Sequence, residues 1–156
     1  MKLAFFEPDI PQNIGAAMRL CACLDVEMHV IEPTSFPWKE NEFRRSGLDY
    51  VEHIRLIRHS SWAKFQQNME GARIVLLTTK AAEPYTGFTF DADDVLLMGS
   101  ESRGVPDDVH NAANARLTIP MKAGLRSLNV VNAASMVLGE ALRQTGEFPV
   151  FIQGAT

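Results

Sequence analysis

The feature that most constrains this chain is a series of short apolar runs, each too brief for a helix, alternating with segments of helical spacing. The runs fall at residues 3–6, 28–31, 54–57, 74–78, 95–98 and 117–119, interrupted by His29, Arg55 and Thr118. Continuous apolar runs of this length, rich in β-branched residues as in Ile74-Val75-Leu76-Leu77-Thr78, belong to strands covered on both faces. Between them, residues 13–24 carry Ile14, Ala17, Met18, Cys21 and Ala22 at helical spacing behind Asn13, a good N-cap. Pro8 and Pro11 are expected to keep the residues before Asn13 out of helix. A helix is predicted from Ser60 or Ser61 to about Met69, and a short one near residues 41–45. A long one is predicted over about 128–145, where Val130, Val131, Ala134, Val137, Leu138, Ala141 and Leu142 give the period and Gly146 closes it. Strands alternating with helices predict an α/β fold with a mostly parallel sheet flanked by helices. No repeat, low-complexity tract or composition shift divides the 156 residues, so a single domain over 1–156 is expected.

Bulk properties exclude several classes. The apolar fraction of 46% and charged fraction of 22% are those of a soluble globular protein. The apolar runs are far too short to span a bilayer, and Met1-Lys2-Leu3-Ala4-Phe5-Phe6-Glu7 lacks a secretory pattern, so a cytoplasmic protein with no membrane partner is expected. A net charge of −4 argues against a broad grip on polyphosphate and leaves room for a local one. Residues 116–126 hold Arg116, Lys122 and Arg126 without an acid. Arg44, Arg45, Arg55 and Arg58 cluster upstream, diluted by Glu40, Glu42, Asp49 and Glu52. Cys21 and Cys23, two apart on a helix, suit neither a disulfide nor a metal clip. His29, His53, His59 and His110 show no ligand spacing, so no metal is expected.

Ligands of open α/β sheets bind beyond the carboxyl ends of strands. The loop after run 95–98 reads Gly99-Ser100-Glu101-Ser102-Arg103-Gly104. Its glycines have the outer spacing of a phosphate loop, but Val105-Pro106 stands where lysine and hydroxyl are needed, so triphosphate hydrolysis is excluded. Ser102 misses the nucleophile elbow for want of the first glycine. No dinucleotide fingerprint follows the first run either, which removes a nicotinamide oxidoreductase.

Three polar islands remain: Asn13-Ile14-Gly15-Ala16-Ala17-Met18-Arg19, the Gly99–Gly104 loop, and Ile119-Pro120-Met121 with Ser127-Leu128-Asn129. Each alone is readable as a cap or a turn. Together they resemble the three motifs of the SPOUT superfamily of RNA methyltransferases, in its ribose 2′-O-methylating branch, and the resemblance covers nearly the whole chain. Phe6-Glu7-Pro8-Asp9-Ile10-Pro11-Gln12-Asn13 and Arg44-Arg45-Ser46-Gly47-Leu48-Asp49-Tyr50 resemble its minimal, single-domain subgroup, which methylates the wobble-nucleotide ribose of certain leucine tRNAs. Ile14 and Ala16 replace a threonine and an asparagine common there, and Ser100 stands where proline is usual.

The resemblance implies a C-terminal deep trefoil knot, a homodimer whose sites draw on both chains, and S-adenosylmethionine held largely by backbone. By position those contacts fall on Leu77, Thr78, Gly99, Ile119, Met121, Ser127 and Leu128. It implies Arg19, Glu101, Ser127 and Asn129 as catalytic residues acting on a cytidine or carboxymethylaminomethyluridine ribose of leucine tRNA isoacceptors. RNA phosphates would be met by Arg44, Arg45, Arg116, Lys122 and Arg126. A free guanidinium stays protonated at ordinary pH, which favours Arg19 as a clamp on phosphate and developing alkoxide, oriented by Glu101, with deprotonation by Arg19 the alternative. Two other readings stay open: a non-catalytic RNA-binding or assembly protein of the same fold, and 2′-O-methylation of another tRNA or rRNA nucleotide.

Overall fold

The computed structural model describes residues 1–150, apart from the side chains of residues 44–49 and 51. Its elements are β1 (Lys2–Phe6), α1 (Pro11–Leu24), β2 (Glu27–Ile31), α2 (Glu40–Gly47), β3 (Leu56–His59), α3 (Trp62–Asn68), β4 (Ile74–Leu77), β5 (Glu83–Pro84), β6 (Val95–Met98), α4 (Asp107–Ala112), β7 (Ala115–Thr118) and α5 (Val130–Thr145). The strands form one sheet in the order β3-β2-β1-β6-β4-β7-β5, and every pairing is parallel.

Alternation along the central strands supplies two cores. Leu3 and Phe5 of β1, Val75 and Leu77 of β4, and Leu96 and Met98 of β6 pack on one face with Ile14 and Met18 of α1 and Leu138 and Leu142 of α5. Their neighbours Ala4, Phe6, Ile74, Leu76, Val95 and Leu97 pack on the other face with Phe65 of α3 and Val109 of α4. Both faces are covered, so the strands read as unbroken apolar runs.

The order of the strands positions the site. β6 lies between β1 and β4, while β7 lies on the far side of β4. Leu77 pairs with both Met98 and Leu117, so β4 and β6 end at one level and β7 one residue beyond it. The residues that follow, Thr78, Gly99 and Ile119, leave the sheet side by side at its carboxyl edge.

Several local expectations change. α1 starts at Pro11 with Ile10 as its cap residue, and Asn13 makes no cap. Proline fits a first helical position because the N–H it lacks would have no helical partner there. β3 lies two residues later than expected, at Leu56–His59, and β7 begins two residues earlier than expected, at Ala115–Thr118. The short helix α4 begins after Pro106 with Asp107 and Asp108 in its first turn, where carboxylates complement the helix dipole. The long C-terminal helix keeps its expected stop, with Gly146 in the left-handed conformation at φ 69°.

Candidate active site

A cleft of about 690 Å3 opens at the carboxyl ends of β4, β6 and β7. Leu77, Thr78, Gly99, Ile119, Met121, Ser127 and Leu128, the expected cofactor positions, all border it, and so do Glu101 and Asn129. The volume is that of a small-molecule site.

One wall is the Gly99–Gly104 loop. Its base is closed by a pair of hydrogen bonds, Ser100 N–H to the Gly104 carbonyl and Gly104 N–H to the Ser100 carbonyl, each 2.9 Å. A proline at position 100 would lack the first of these donors. Gly104 has φ +68°, and a Cβ on Gly99 would lie 2.8 Å from the Gly104 backbone, so the two strands of the loop touch where no side chain fits. The Ser100 hydroxyl accepts the Arg103 N–H at 3.3 Å, which tightens the turn further.

A continuous hydrogen-bonded chain joins the three sequence islands. Asn129 caps α5, its Oδ1 accepting the N–H groups of Val131 at 2.9 Å and Asn132 at 3.3 Å. Asn129 Nδ2 donates to Asn13 Oδ1 at 3.0 Å, and Asn13 Nδ2 donates to Glu101 Oε1 at 2.9 Å. Glu101 Oε2 accepts the Asp9 N–H at 2.7 Å. Each amide donates toward Glu101 and accepts from the α5 side, so the carboxylate is the terminal acceptor of the chain.

Arg19 departs from expectation. Asn13 borders the cleft and is nearly buried, but Arg19, on the same helix, does not border it and is exposed. Six residues of helix carry it about 9 Å along the axis and roughly 120° around it. Its guanidinium lies 4.8 Å over the Tyr50 ring, with Nη2 3.5 Å from the Tyr50 hydroxyl. Within one protomer Glu101 therefore does not orient Arg19; Asn13 and the Asp9 backbone take both of its oxygens.

The basic residues divide as well. Arg116 donates to the carbonyls of His110 at 2.7 Å, Asn111 at 3.0 Å and Ala113 at 3.1 Å, which ties it to the end of α4. Lys122 and Arg126 are exposed, and Arg126 borders the cleft with Lys80 and Arg103. The side chains of Arg44 and Arg45 lie outside the described residues. Sequence reasoning missed Asn13 as a site residue because its residue type and position matched an N-cap.

Comparison with known proteins agrees with this geometry. Residues 1–139 match the SpoU rRNA Methylase family. A tRNA (cytidine(34)-2′-O)-methyltransferase of Beijerinckia indica subsp. indica is 57% identical over 146 residues, covering 92% of this chain and 91% of that protein. A solved structure described as giving insights into the 2-OH methylation of C/U34 on tRNA superposes with TM-score 0.86 at 36% identity, over 92% of this chain and 94% of that one. The SpoU methyltransferase AviRb from Streptomyces viridochromogenes, in complex with AdoMet, superposes with TM-score 0.82 at 25% identity, over 92% of this chain and 60% of that one. With a family match across 1–139 and a relative this similar along nearly its full length, the chain belongs to the SpoU rRNA methylase family.

Proposed function

We propose that the protein methylates the ribose 2′-OH of the wobble nucleotide, position 34, of tRNA, with S-adenosylmethionine as donor. The observation that carries the reading is the chain Asn129–Asn13–Glu101 on the rim of a cleft bordered by all seven expected cofactor positions. The 57% identical relative bears that activity in its name, and AviRb was solved with AdoMet.

The residues fit the donor. Gly99 and Gly104 leave a wall of bare backbone, and Leu77, Ile119, Met121 and Leu128 supply apolar contacts for a purine. The bound donor supplies an electrophilic methyl on a sulfonium, and the reaction replaces the C–S bond by a C–O bond as the hydroxyl proton departs. The chain supplies alignment, a contribution of several kcal/mol and up to about 7–11 in ideal cases. Ser127 and Asn129, at the entry to α5, offer hydrogen bonds beside the ribose. Arg19 clamps phosphate and developing alkoxide as a fixed cation.

In this reading the protein is a cytoplasmic homodimer. Arg19 points away from the cleft of its own protomer, so it serves the cleft of the partner. Ile10 and Leu128 are exposed at the border of the cleft, and Leu125 and Met136 are further exposed apolar side chains that a second copy would cover. We further infer the trefoil knot implied by the resemblance. Its support is the insertion of β6 between β1 and β4, followed by the return of the chain past the Gly99 loop to pack α5 against α1. Leucine isoacceptors with cytidine or carboxymethylaminomethyluridine at the wobble position are the proposed substrates. Lys122 and Arg126 meet RNA phosphates, whereas Arg116 is spent on the carbonyls at the end of α4.

The test is incubation with labelled S-adenosylmethionine and total tRNA, followed by mass-spectrometric mapping. The expected product is a single 2′-O-methylated nucleotide at position 34 of leucine tRNAs. Absence of label on any tRNA overturns the activity, and label elsewhere overturns the site.

A further inference from the structure

Asp9 belongs to none of the three sequence islands, yet its side chain holds the tip of the Gly99–Gly104 loop. Oδ2 accepts the Ser102 N–H at 2.9 Å and also the Ser102 hydroxyl. Oδ1 accepts the Ser35 hydroxyl at 2.9 Å, and the Asp9 N–H donates to Glu101. The segment between β1 and α1, the loop after β2 and the loop after β6 thus meet on one residue.

Backbone geometry aims Asp9 at this junction. Glu7 sits at φ 41°, in the left-handed region that non-glycine residues seldom enter. Its N–H donates to the Ile31 carbonyl at 2.9 Å, and Ser35 N–H donates to the Pro8 carbonyl at 3.2 Å. Burial opposes ionisation of Asp9, but the hydrogen bonds from Ser102 and Ser35 and the nearby Arg103 charge outweigh it and hold the carboxyl below its ordinary pKa. The junction is therefore formed by the carboxylate at neutral pH.

Two restraints on the loop are separable. The Ser100–Gly104 pair closes its base, beside the cofactor positions. Asp9 closes its tip, where Glu101 and Ser102 face the polar rim. We propose that Asp9 is a positioning residue for methyl transfer, fixing Glu101 and Ser102 through the loop tip while leaving the cofactor-facing backbone to its own hydrogen bonds. The role rests on the methyltransferase reading above.

The test compares wild type, Asp9→Ala and Asp9→Asn in single-turnover methyl transfer to the substrate tRNA. Donor affinity is followed by calorimetry and folding by thermal melting. Asp9→Asn keeps all three side-chain hydrogen bonds, because its amide donates to a rotated Ser35 hydroxyl. The expected result is a transfer rate in Asp9→Ala lowered roughly tenfold to hundredfold, the scale of a small misplacement. Donor affinity should stay near wild type, and Asp9→Asn should recover most of the rate. Should Asp9→Ala fail to fold, Ser102→Ala, which removes only the hydroxyl contact, is expected to show a smaller loss in rate at unchanged donor affinity. Wild-type rates in folded Asp9→Ala, or in Ser102→Ala where it stands in, overturn the role of Asp9 alone. Equal losses of rate and donor affinity also overturn it, in favour of a purely structural role. A wild-type protein that transfers no methyl overturns the function and this role together.

Discussion

Asn129 and Asn13, 116 residues apart in sequence, are joined by a hydrogen bond of 3.0 Å from Nδ2 to Oδ1. The same Asn129 uses its oxygen to cap α5, so one side chain both starts a helix and orients the amide that holds Glu101.

That double duty separates two variants. Asn129→Ala loses cap and link together. The lost cap costs about 1 kcal/mol, a fall of roughly 2–4 °C in Tm for a protein of this size, and methyl transfer should fall by well over about tenfold. Asn129→Ser restores a capping oxygen but cannot donate to Asn13 as an amide does. Its Tm should approach wild type while transfer stays low. Full transfer by Asn129→Ser would show that the link to Asn13 is dispensable.

Gly99→Ala tests the cofactor wall. The added Cβ meets the Gly104 backbone at 2.8 Å, and neither partner is a flexible side chain that could move aside. The loop must open at its base, so donor affinity is expected to fall by about tenfold or more, equivalent to about 1.4 kcal/mol. Calorimetry with S-adenosylmethionine reads this directly, and an unchanged Kd would remove the Gly99–Gly104 contact from the binding site.

Much of this architecture was legible because its strands are covered on both faces, which writes them as apolar runs. The Gly99 loop was legible because glycine at both ends of a polar hexapeptide after a strand has few structural uses. Besides the two-residue strand β5, three things were hidden. α4 is short and buries one large apolar side chain, Val109, so it leaves no periodic signal. Asn13 was readable as a cap because asparagine serves caps and cross-links alike, and only the tertiary position of Glu101 distinguishes them. The Glu101–Arg19 pairing is not made within one protomer, because helix geometry turns Arg19 about 120° away from Asn13, a displacement that residues grouped by shared role do not reveal.

Arg19 and Tyr50 make a further prediction. The guanidinium stacks over the Tyr50 ring at 4.8 Å on the protein surface, an interaction worth about 0.5–1 kcal/mol at an exposed site. Arg19→Ala should abolish methyl transfer and leave S-adenosylmethionine affinity nearly intact. Tyr50→Leu should lower transfer only modestly, because it frees Arg19 without removing it. If the activity depends on a partner's Arg19, mixing Arg19→Ala with a donor-binding-defective Gly99→Ala variant should restore part of the activity through mixed dimers. No recovery on mixing would assign Arg19 to its own protomer.

The last prediction concerns pH and lies away from the cleft, in the buried pair His29 and His59. His29 Nδ1 and His59 Nε2 are 2.8 Å apart, His29 Nε2 is 2.8 Å from Glu27 Oε1, and His59 Nδ1 is 3.1 Å from Asn68 Nδ2. One assignment satisfies every contact with both rings neutral: Asn68 donates to His59, His59 to His29, and His29 to Glu27. An added proton on His29 would set two N–H groups facing each other unless His59 changed tautomer and the Asn68 amide turned over to accept. Burial lowers the pKa of His29 against the pull of Glu27, and burial together with the neighbouring His29 lowers that of His59. Both folded values lie below the unfolded value of 6.5. Below that pH the unfolded chain binds more protons than the folded one, so stability is complete above about pH 6.5 and declines as pH falls towards the folded values. Urea unfolding at pH 7.5 and 5.5 should show a lower midpoint at pH 5.5 with an unchanged m-value. A midpoint that stays level, or rises, would mean that the pair carries a proton in the folded protein.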